Sequence, residues 1–222
     1  KGVYIMNSTK LMGWMLILGP VVTFITGLLT SFLIGQGNTP TEAVQEIMDN
    51  QNLTTILTVV NSLGFVSALV GATLVSKTMS GEDKKGGIFG QISTILFVGL
   101  TTLAIATTLS NLATVGAIQS AATDTAAITA AKFNNAVTIQ IVGGVLWNGL
   151  LFYWGVGFII FGIAALMQKR LHMIVDWIFV VFGTIFLILS IAPVDLGQLI
   201  FIVFGLMVIN TIVGGVFVLK GK

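Results

Sequence analysis

The chain alternates between long apolar runs and short polar breaks. The runs cover about residues 11–35, 53–76, 88–113, 139–167, 173–192 and 196–219, and the charges gather between them. At 1.5 Å of rise per residue, about 20 apolar residues cross the roughly 30 Å hydrocarbon core of a bilayer. Each run therefore predicts a transmembrane helix. Segments such as WIFVVFGTIFLILSI lack the apolar–polar alternation of a membrane β-barrel strand. The expected fold is an all-α membrane protein, a six-transmembrane-helix bundle forming one integral membrane domain over residues 1–222. The first run is too long for a signal-peptide core and is expected to stay in the mature protein.

The polar breaks orient the bundle. Lys1 and Lys10 precede the first run; Lys77, Lys84 and Lys85 follow the second; Lys169 and Arg170 follow the fourth; Lys220 and Lys222 end the chain. All of these fall on one side, leaving Lys132 as the exception. The other side carries Glu42, Glu46, Asp49, Asp124 and Asp195. Basic residues concentrate in cytoplasmic loops, so both termini are expected in the cytoplasm of a cell-membrane protein.

The first outer break reads NTPTEAVQEIMDN. Thr39 suits an N-cap, Pro40 the first helical position and Glu42 the third, which predicts a short amphipathic helix over about 39–50. Its apolar side, Ala43, Val44, Ile47 and Met48, is expected to face down onto the outer surface. Glu42, Glu46 and Asp49 could approach a calcium ion, but one helix face offers too few converging oxygens. A solvated acidic face is the preferred reading. The second outer break, residues 116–135, is rich in alanine and threonine; a plain connector is preferred to a cap or lid over the bundle.

On a 100° wheel the runs share a further pattern. Gln140, Gly144, Asn148, Gly155 and Gly162 fall in one stripe, flanked by Trp147 and Trp154. Asn61, Gly64, Ala68, Gly71 and Ala72 form another, as do Thr23, Gly27, Ser31 and Gly35. The fifth run aligns His172, Asp176, Gly183 and Ser190, and the sixth adds Asn210 and Gly214. Small residues let helices approach closely, and amides or hydroxyls can bond across the contact. The candidate polar seam is therefore Asn61, Gln140, Asn148 and Asn210, with Asn148 facing the bundle. A solvated solute path along the same residues is the competing reading. His172 and Asp176 stand four apart at the cytoplasmic entrance of the fifth run. They are read as an interfacial pair, with a proton relay as the sharper alternative.

Composition narrows the function classes. Charged residues make up 8% of the chain, against roughly 25% in soluble domains. The net charge of +2 reflects the short basic loops, and no basic patch points to nucleic acid. With no cysteine and one histidine, thiolate metal sites, cysteine nucleophiles and bis-histidine haem within the chain are excluded. No run has an ionisable group at its centre, where proton and ion routes commonly place one. No catalytic residue, metal site or cofactor is expected.

The segments MNSTKLMGWMLILGP, EAVQEIMDNQNL and FGIAALMQKRLHMIVDWIFVVFG resemble a prokaryotic family of six-span membrane proteins of unknown function. That resemblance implies the six-span topology and no activity. The expected function is that of a non-catalytic accessory or scaffolding subunit, with lipid and other membrane subunits, or further copies of the chain, as partners. A channel or facilitator for a small neutral solute is the alternative.

Overall fold

The computed structural model describes residues 8–35, 37–119, 124–191 and 199–221. Among them are seven helices and no strand: α1 (Ser8–Leu33), α2 (Pro40–Asp49), α3 (Gln51–Met79), α4 (Gly87–Ile118), α5 (Ala126–Gln168), α6 (Met173–Ile191) and α7 (Leu199–Leu219). All but α2 are long and apolar enough to cross a membrane. The chain is a helical bundle of the expected kind. Its six long helices pack in the sequence α7–α1–α3–α4–α5–α6, and α6 returns only loosely to α7.

Glycine sets the closest approaches. A Cβ added at Gly19 would lie 2.6 Å from the Ala68 backbone nitrogen, so α1 and α3 meet backbone to backbone. Gly155 of α5 and Gly183 of α6 form a reciprocal pair: a Cβ on either would sit within 2.7 Å of the other's carbonyl oxygen. Such contacts let van der Waals attraction act between helices that gain little from excluding lipid. Pro20 lies inside α1 without interrupting it.

Hydroxyl groups behave differently from the sequence expectation. Thr23, Thr30, Thr73 and Thr101 each donate to the carbonyl four residues earlier in their own helix. A short side chain reaches its own preceding turn more readily than a neighbouring helix. The buried Ser76–Ser93 pair, 2.9 Å apart, is a contrast that joins α3 to α4.

The helices differ in reach. With 43 residues, α5 is about 65 Å long, twice the hydrocarbon thickness. Most of the segment expected as a connector is instead helix, continuing α4 to Ile118 and starting α5 at Ala126. Residues 120–123 lie outside the described residues. Lys132, the basic exception, pairs with Asp124 at 2.6 Å and donates to the Gln119 carbonyl, tying the two helix ends together. Against this extension rests α2. Thr39 accepts from the Glu42 amide, while Glu42 accepts from Asn38 N–H. Val44 and Ile47 pack on Val115, Ile118 and Ala136. The apolar side of α2 thus covers protein, because α4 and α5 rise far enough to meet it.

Candidate functional site: a chamber walled by aromatic rings

Five helices line a partly open apolar chamber of about 490 Å³, within the range of small-ligand sites. Pro20 and Gly27 of α1, Asn61 and Phe65 of α3, and Trp147 through Phe161 of α5 line it; α6 adds Phe179, and α7 spans it from Phe201 to Gly214. The thirteen residue steps from Phe201 to Gly214 give a height of roughly 20 Å. No charged side chain is among the lining residues.

The wall is an aromatic cluster built at helical spacing. Trp147, Trp154, Phe158 and Phe161 recur on one side of α5. Trp154 stacks on Phe186 at 5.1 Å and meets Phe65 edge to face at 5.0 Å, which bridges α5 to α6 and α3. Phe158 stacks on Phe179 at 5.3 Å. Phe204 of α7 lies 5.1 Å from Phe186 and 5.7 Å from Trp154. Rings this wide hold α7 off α5, and the space between becomes the chamber. Trp154 Nε1 is buried among them without a hydrogen-bond partner.

The four seam candidates do not converge. Asn61 joins α3 to α1, its Nδ2 donating to Thr23 O at 3.0 Å and Thr26 Oγ1 at 2.8 Å. Gln140 joins α5 to α4 by donating to Thr114 Oγ1 at 3.0 Å and Asn111 Oδ1 at 3.4 Å. Asn210 of α7 donates to the Val175 carbonyl of α6 at 3.2 Å. Only Asn61 lines the chamber.

Asn148 does not face the bundle: it is exposed, while its neighbour Trp147 lines the chamber. Gly155 meets Gly183 and Leu187, and Asn148, about 10 Å further along α5, stands near the level of Ile191, the last described residue of α6. One stripe is packed in its lower half, at Gly155 and Gly162, and open at Gly144 and Asn148.

His172 and Asp176 do not bond to each other. His172 is exposed, accepts from Ile174 N–H through Nδ1 at 3.3 Å, and stacks on Phe217 at 5.6 Å. Asp176 is 1% exposed, with neither carboxylate oxygen hydrogen-bonded. Their spacing allowed a meeting, but His172 precedes the helix and its ring turns back over the first turn of α6.

The sequence singled out the two tryptophans as seam markers. It missed Phe65, Phe179 and Phe204, whose roles depend on which helices become neighbours. No protein-family model, curated protein or solved structure matches the chain. The six-span part of the family resemblance has its counterpart in six long apolar helices; membership of a family does not follow from it.

Proposed function

We propose that this multi-pass membrane protein is a non-catalytic accessory or scaffolding subunit, with both termini cytoplasmic and the α2–α4–α5 extension on the outer side of the cell membrane. The observation that carries this reading is the open upper half of the α5 stripe. Ile141, Val145 and Asn148 are exposed, and a Cβ at Gly144 would meet nothing within 4 Å. The lower half of the same stripe holds α6 against α5. An uncovered continuation suits a helix from another subunit, and its amide could bond across that contact. The lysine-rich loops support the orientation.

Purification in mild detergent is expected to yield an assembly larger than one chain. Val145→Arg should break it while leaving the monomer folded. A strictly monomeric particle with no accompanying chain would overturn the proposal. The neutral-solute facilitator has the chamber and Asn61 in its favour. Its other amides lie off that chamber, and flux into proteoliposomes insensitive to Asn61→Leu would remove it.

A further inference from the structure

The chamber has a polar end and an apolar length. Thr23 and Thr211 lie on its wall, but each hydroxyl donates to its own helix, to Gly19 O at 3.0 Å and Met207 O at 2.9 Å. Asn61 commits its Nδ2 to α1, as described. Its Oδ1 accepts no hydrogen bond, yet is not among the buried atoms lacking a partner. It is an accessible acceptor, whereas the other unpartnered polar atom of the lining residues, Trp154 Nε1, is buried away from the chamber surface. Asn61 stands level with Thr26 in the second half of α1, and from there the chamber descends past Phe65 and Phe158 to Leu171 and Gly214.

We infer that the chamber binds a neutral, single-chain lipid alcohol, its hydroxyl donating to Asn61 Oδ1 and its hydrocarbon tail running toward Gly214. Three features select this class. A height of roughly 20 Å with a volume of about 490 Å³ suits one extended chain better than a bulky headgroup. The absence of charged lining residues disfavours a carboxylate or phosphate, whose burial without a partner is costly. An acceptor without a donor asks for a hydroxyl hydrogen, which an alkane lacks. Apolar cavities exclude water and take apolar guests. Straight-chain and isoprenoid alcohols share this chemistry. The inference is independent of the scaffolding role.

Tryptophan fluorescence can test it. Trp14 and Trp177 are 50% and 55% exposed and do not line the chamber, whereas Trp154 and the partly exposed Trp147, at 41%, do. With Trp14→Phe and Trp177→Phe as background, a long-chain alcohol brominated at mid-chain should quench the remaining emission saturably. Unlabelled hexadecanol should displace it at least tenfold better than hexadecane or palmitate. Geranylgeraniol, run in parallel, distinguishes the isoprenoid from the straight-chain source. Asn61→Leu should abolish the preference for alcohol over alkane.

Because Asn61→Leu also loosens α3 from α1, a second variant guards the result. A Cβ at Gly214 makes ordinary contacts, 3.6 Å to Phe179 and 3.7 Å to Leu171, so Gly214→Leu should fold and shorten the chamber. The parent should prefer hexadecanol to decanol, and Gly214→Leu should lose or reverse that preference. Quenching that never saturates, equal displacement by alkane and alcohol, or an unchanged chain-length preference in Gly214→Leu would each overturn the inference.

Discussion

At the residue scale, one stripe of α5 contains glycines of opposite consequence. Gly155 is pressed against the α6 backbone, with Gly183 O and Leu187 N each 2.7 Å from where its Cβ would be. Gly144, on the same stripe, has open space there. Overpacking at backbone contacts costs about 1–3 kcal/mol or more, and exposed positions tolerate change within about 0.5 kcal/mol. Gly155→Val is therefore expected to lower the thermal unfolding midpoint in detergent by several degrees, and Gly144→Val to leave it unchanged. Equal effects at the two sites would contradict the packing described here. The sequence made these glycines look alike, since their spacing is common to both. Only their packing separates them, since Gly155 meets α6 and Gly144 meets nothing within 4 Å.

At the scale of the element, α2 shows how far local signals carry. Thr39, Pro40 and Glu42 specify its start in the sequence, and the cap forms with Thr39 accepting from Glu42 N–H. Its amphipathic spacing identifies an apolar side but not the surface beneath it. That surface proved to be Val115, Ile118 and Ala136 on α4 and α5. Val44 is fully buried there, so Val44→Asp would place an unpartnered carboxylate in an apolar contact. Hydrogen exchange should show the α2 amides losing at least tenfold protection, with α3 and α6 unaffected. Retained protection in α2 would mean that it is held by its cap and loops alone. The same distinction applies to His172 and Asp176: helical spacing brought them within reach, but ring orientation and burial kept them apart.

At the scale of the whole molecule, the orientation is open to direct measurement. The chain has no cysteine, so single reporters can be introduced without background. Glu42→Cys is expected to react with an impermeant maleimide in intact cells, and Lys84→Cys only after permeabilisation. The reverse pattern would invert the proposed topology. The chamber also belongs to this scale. Filling it favours stability, because atoms lining a void lose dispersion contacts, and each ring on its wall comes from a helix placed by other contacts. Phe65 is positioned by α3 against α1, Phe179 by the Gly155–Gly183 approach of α6 to α5, and Phe204 by α7 against α1.

By itself, the sequence determined the number of long helices, the cap of α2 and the small-residue stripes, but not how far α4 and α5 extend beyond their apolar runs. Hydropathy, charge and capping act through neighbours within a few residues, and periodicity needs only the helix itself. Tertiary structure decided which half of a stripe is covered, where α2 docks, which amides face which helix, and that five helices leave a chamber between them. Those outcomes depend on relative helix lengths and on side-chain volumes meeting across the bundle. Such distances are set only when distant segments pack.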